Sequence, residues 1–228
     1  MNSSIFHRVL PFALFMACIG AEEALRFFSR QGFIHITPET FLYTYPIRVI
    51  LAGMALFFAR SKYCEIKLWD LASPIKSVVS IALGVAVFIL WINMDWILQN
   101  HGAPQGFNPT LIPDAAARNL MTAFRLAGAA IVVPIMEELF WRSFLIRYII
   151  HKDFESVPVG LFTWPSFLIS AVLFGLEHHY VLAGIMAGIA YNVLLYYTKS
   201  IAHCILSHSI TNLLLGIYVL QTGKWHFW

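Results

Sequence analysis

Charge is what this chain has least of. Lys, Arg, Asp and Glu make up 12% of its 228 residues, about half the share usual in a soluble domain. With 59% of residues hydrophobic and a mean hydropathy of +0.72, a soluble globule could not hide the apolar surface. The net charge of +3 is small and scattered, which excludes the basic face of a nucleic-acid binder. The three cysteines, Cys18, Cys64 and Cys204, contain no CxxC pair, so neither a disulfide framework nor a zinc ribbon is encoded. They read as packing residues. No GxSxG turn offers a serine nucleophile, and no HExxH pair puts two histidines on one helix face. Long repeats and low-complexity segments are missing too, and with no inverted repeat a transporter is disfavoured.

What the chain does have is apolar runs. A span needs about 20 apolar residues to cross a hydrocarbon core about 30 Å thick. Seven segments qualify or come close: 9–27, 41–59, 75–98, 119–150, 166–178, 181–197 and 201–222. The expectation is an all-α polytopic membrane bundle of about seven to eight helices, a single domain over 1–228. Within the first run, Phe15-Met16-Ala17-Cys18 is faintly similar to a lipoprotein cleavage site, but so many later spans make the run a retained helix. The fourth run is too long for one straight crossing, and Pro134 should kink it. The fifth and sixth are short, with the tight link Glu177-His178-His179-Tyr180, and suggest a hairpin reaching partway across. Residues 99–114 carry Pro104, Pro109 and Pro113 and read as an external connector. Residues 65–71 suit the membrane surface. Arg60, Lys62, Lys67 and Lys76 cluster after the second run, which places that loop and the N-terminus in the cytoplasm; Arg26 and Arg30 oppose this.

Against this background a few polar residues stand out, because ionisable groups at membrane depth are costly and usually functional. Glu137-Glu138-Leu139-Phe140-Trp141-Arg142 puts two carboxylates and a guanidinium inside an apolar run. Neighbouring glutamates on a helix point about 100° apart, so only one faces a given cavity. Glu138 and Arg142 have the i,i+4 spacing of an ion pair. That leaves Glu137 as the base, with Glu138 and Arg142 as its support. Phe174 and His178 share a helix face, as do His208 and Asn212, and all these residues fall at compatible depth. Glu137 and His178 together suit activation of water, while His208 and Asn212 suit hydrogen bonds to a developing oxyanion. Glu137, His178 and His208 also form a conceivable zinc set; without HExxH spacing the metal-free reading, with no cofactor, is preferred. Cys204 lies one turn before His208, yet nothing around it favours a thiolate.

Three other features read as structural. Glu22-Glu23-Ala24-Leu25-Arg26 imitates the glutamate–arginine motif without a histidine and is taken as interfacial. Arg48 and Arg125 fall inside spans, where snorkelling, pairing with a helix-end carboxylate or contact with a substrate terminus are the options; structural use is preferred. Gly184 and Gly188 have small-xxx-small spacing for close helix packing.

Glu137-Glu138-x-x-x-Arg142, Phe174-x-x-x-His178 and His208-x-x-x-Asn212, in this order over about 119–222, resemble the CPBP family of intramembrane proteases. That family includes CAAX prenyl endopeptidases and bacteriocin-processing relatives. The resemblance implies a membrane endopeptidase of glutamic type, with Glu137 and His178 activating water and His208 and Asn212 holding the oxyanion. It implies a substrate that is a membrane protein or lipidated peptide cut near its C-terminus, within a lipid bilayer and without nucleic acid. Small bacterial relatives of the myxosortase kind are similar in size and aromatic content, and imply a bacterial inner membrane. Two rivals stay open: a zinc protease using the same residues, and a non-catalytic immunity or scaffold protein.

Overall fold

The computed structural model describes residues 3–94 and 106–228. Among these residues the chain is all helix, with no strand. We number the elements α1 Ser3–Arg30, α2 Pro38–Leu42, α3 Thr44–Ala59, α4 Pro74–Asn93, α5 Ala115–Ile150, α6 Trp164–Leu176, α7 Val181–Thr198 and α8 Ile201–Thr222. Six helical stretches are long and apolar enough to cross a membrane, the second running Pro38–Lys62, and α6 is a shorter apolar helix. Each of the seven expected runs is helical over most of its described residues, and the chain is a multi-pass membrane protein. Part of the expected third run (95–98) and of the proline-rich connector (99–105) lies outside the described residues.

Helix ends follow local chemistry. Asp114 caps α5 by accepting a hydrogen bond from the Ala117 amide at 2.8 Å, and Thr163 caps α6 by accepting from Ser166. Pro74 opens α4, where its missing N–H costs nothing. α8 stops at Gly223 in the left-handed region.

The bundle is inverted relative to a soluble protein. Phe58, Ile75 and Val78 are 77%, 71% and 65% exposed on spanning helices, as suits lipid contact, while Glu138 and Arg142 are fully buried. α4 and α8 pack along each other, α6 and α7 form a tight hairpin, and α1 packs on α3. α6 covers only about 20 Å, short of the hydrocarbon core. The turn 177–180 that joins it to α7 therefore lies at membrane depth, where non-helical backbone persists only against protein or a cavity. The glycine spacing has its expected use: a Cβ on Gly188 would meet the Ala171 Cα and O at 3.1 Å, so these two helix backbones touch.

α5 is one continuous element. Pro134 does not divide it into two helices; the chain stays helical for 36 residues, with π-helical stretches at Gly128–Val132 and Leu139–Leu145. The first precedes Pro134, so the carbonyl its ring would strike sits in an already widened turn. The six-residue α-helical piece between them, Val133–Glu138, carries both glutamates.

Candidate active site

Glu137 and Glu138 diverge as their adjacency requires. Glu137 lines a cavity of about 240 Å³ together with Phe174, His178, His208 and Asn212. Glu138 turns away from it, its Oε1 accepting from Arg142 Nη1 at 3.1 Å and from His208 Nδ1 at 2.9 Å. Arg142 is held on all sides: Nε donates to Asn192 Oδ1 at 3.2 Å, Nη2 to the Gly188 carbonyl at 3.4 Å, and its Cζ lies 4.4 Å above the Phe174 ring. Asn192 is itself tied to Ser170 at 2.9 Å. One buried network thus joins α5, α6, α7 and α8 behind the cavity.

The histidines are oriented by single bonds. A backbone carbonyl only accepts, so the 2.7 Å contact between His178 Nδ1 and the Phe174 carbonyl puts the proton on Nδ1 and leaves Nε2 with its lone pair. His178 is not on α6 as expected but in the turn beyond it, reaching back to Phe174 as a helical residue would. His208 gives Nδ1–H to Glu138, stacks on Tyr191 with centroids 4.9 Å apart, and brings Nε2 to 3.9 Å from Glu137 Oε2. Asn212 donates one N–H to the Ala129 carbonyl at 2.9 Å, which fixes its amide and leaves the second N–H free. Glu137 Oε2 is buried with no hydrogen-bond partner among the described residues.

Ligand atoms of Glu137, Glu177 and His178 lie within 4.8 Å of one another. The zinc set suggested by the sequence, with His208 as third member, is not the one that converges: His208 Nε2 comes to 3.9 Å from Glu137 Oε2 but does not join the group formed with His178. Glu177 was read only as part of a hairpin link. Its Oε1 accepts from Trp141 Nε1 at 3.1 Å, and that bond holds it in the site. It was detectable as a third carboxylate at membrane depth. Tyr191 and Asn192 gave weaker signals as polar groups in the apolar run of α7. Cys204 contacts the Tyr191 carbonyl at 3.7 Å and stays apart from the His208 ring nitrogens.

Residues 119–214 match the model of the Type II CAAX prenyl endopeptidase Rce1-like family. The cavity is built on an Rce1-like segment. This match is consistent with the CPBP resemblance and points to a peptidase. The Rce1-like segment contains Glu137, Glu138, Arg142, Phe174, His178, His208 and Asn212. Phe15, Arg48 and Trp91 line the cavity from outside it, on α1, α3 and α4. No curated protein and no solved structure matches the chain.

Proposed function

We propose that the protein is an intramembrane endopeptidase of glutamic type that cuts a membrane-anchored or lipidated protein near its C-terminus. The observation that carries the reading is that a ring nitrogen of His178 comes within 4.8 Å of the Glu137 carboxylate while both side chains line one cavity. A water between them is within normal hydrogen-bond reach of both. Its oxygen attacks the scissile carbonyl carbon as its proton passes to Glu137. Negative charge moves to the carbonyl oxygen, where the free N–H of Asn212 and an N–H at His208 Nε2 meet it. With His208 Nδ1–H already donated to Glu138, the N–H at Nε2 needs a second proton on the ring, and the two carboxylates beside it, Glu138 and Glu137, offset the charges of the ring and of Arg142. The proton on Glu137 then goes to the departing amine as the C–N bond breaks. Glu138, Arg142 and Phe174 position these groups. The N-terminus faces the cytoplasm in this reading.

The test compares the C-termini of membrane proteins in cells carrying wild type with those carrying Glu137→Gln at equal protein level. Longer precursors should accumulate in the variant. Unchanged termini, where wild-type function is demonstrable, would defeat the peptidase reading and favour the scaffold or immunity role.

A second reading has an observation of its own. Glu137, Glu177 and His178 suit a divalent ion that would polarise water. Under it, peptidase activity falls with a strong chelator and returns with added ion; under the glutamic reading it is indifferent to both.

A further inference from the structure

Arg48 and Arg125 lie inside spanning helices, α3 and α5, yet neither is neutralised as Arg142 is. Arg48 has only a 3.8 Å approach to Glu22 Oε2, and Glu22 is already committed to Arg26 at 2.7 Å and to Thr44. The Arg125 side chain makes no hydrogen bond or ion pair among the described residues, and the Nε of each arginine is buried without a partner. Both guanidiniums lie over the same ring, Tyr45, at 4.7 and 4.5 Å. Two cations are thus gathered around one aromatic, and the carboxylate that approaches one of them is already paired with Arg26. An arrangement of this kind is short of an anion.

Both arginines line the cavity that holds Glu137 and His178. Arg125, Ala129, Val133 and Glu137 lie four residues apart along one face of α5, and all four line it. Twelve residues of helix put Arg125 and Glu137 about 18 Å apart along the axis. A volume of about 240 Å³ drawn out over that length is a slot, and the small residues Ala129 and Val133 form its floor. Extended chain advances about 3.3 Å per residue, so the slot spans about five residues, fewer once the reach of the guanidinium is counted.

We propose that Arg48 and Arg125 form a clamp for the free C-terminal carboxylate of the substrate, a few residues beyond the bond presented to Glu137. This rests on the peptidase reading and deepens it: the enzyme measures its cut from the chain end. A carboxylate between the two guanidiniums supplies the missing negative charge and accepts their free N–H groups. The amide of the same peptide offers one accepting oxygen and no charge.

The test is binding, which does not need turnover. Full-length protein in detergent is titrated with dansyl-Leu-Ile-Phe bearing a free carboxylate, and with the same peptide as its C-terminal amide. The acid should bind at least tenfold more tightly. Arg125→Gln and Arg48→Gln should each bring the acid toward the amide's affinity without changing amide binding, and Arg125→Lys should keep part of the preference. Equal affinities for wild type, no binding of either probe, or a preference that survives in the double glutamine variant would each overturn the clamp. The wild-type comparison decides even if a variant fails to fold. Glu137→Gln should retain the acid preference, so loss of the peptidase reading and loss of the clamp are separately visible.

Discussion

Arg142 is the largest fully buried side chain in the protein, and three acceptors surround it: Glu138, Asn192 and the Gly188 carbonyl. A guanidinium satisfies all three with its fixed fork, whereas a lysine ammonium is a point charge that cannot span them. Arg142→Lys therefore keeps the charge but strands Asn192 and the carbonyl, at about 1–3 kcal/mol for each buried group left unpaired. Arg142→Met leaves Glu138 with His208 alone and should be the more harmful, because removing one partner of a buried ion pair costs about 3–5 kcal/mol. Thermal unfolding in detergent should rank wild type above Arg142→Lys above Arg142→Met; equal midpoints would show that the network does not hold the helices. At this scale much was legible beforehand. The i,i+4 pairing of Glu138 with Arg142 and the outward turn of Glu137 follow from helix geometry alone. The bond from His208 to Glu138 joins residues seventy positions apart, and Glu177 enters the site through an indole on another helix. Neither leaves a mark in local spacing.

Elements hold these residues in place by touching closely. On α7, a Cβ added at Gly188 would meet the Ala171 backbone at 3.1 Å and the Phe174 Cβ at 3.3 Å. Gly188→Val must push α6 away, moving Phe174 and the carbonyl that receives Arg142. Overpacking of this kind costs about 1–3 kcal/mol, and it should lower both the unfolding midpoint and the peptidase rate. Gly20 on α1 has nothing within 4 Å of an added Cβ, so Gly20→Ala should leave both unchanged. Similar losses in the two variants would place the role of Gly188 elsewhere than in the α6–α7 contact. The seven apolar runs and this glycine pair were readable as elements because hydropathy and small-residue spacing are local signals. The course of α5 was not. Pro134 marks a weak point in the helix, but the widening of the turns beside it into π-helix is set by packing against α3 and α8.

Among the described residues a further polar assembly lies apart from the cavity. Glu65, in the loop after α3, accepts from Arg8 of α1 at 2.7 and 2.9 Å and from Ser143 of α5. Arg147 donates to the Val157 and Ser143 carbonyls at 2.8 and 3.1 Å, and the Tyr63 hydroxyl to the His7 carbonyl at 2.9 Å. These bonds tie the start of α1 and the later turn of α5 to the loops 60–73 and 151–163, which bear no residue proposed for the reaction. Burial pushes the Glu65 carboxyl up, but the hydrogen bonds from Arg8 and Ser143 and the Arg8 charge outweigh it and hold it below the usual glutamate value. An unfolded glutamate titrates near 4.3. With the folded value depressed, the contribution of Glu65 is complete above about pH 4.3 and is lost as pH falls through the folded value. Stability of wild type in detergent should therefore decline on acidification below about pH 4.3, and Glu65→Gln, uncharged throughout, should show a lower midpoint near neutrality and a flatter acid limb. The acid preference of the Arg48–Arg125 clamp should be untouched in this variant near neutrality, because Glu65 does not line the slot. A steep acid limb retained in Glu65→Gln would move the acid sensitivity of the fold to another carboxylate. A clamp altered in that variant would mean that the two assemblies are coupled through α1 and α5.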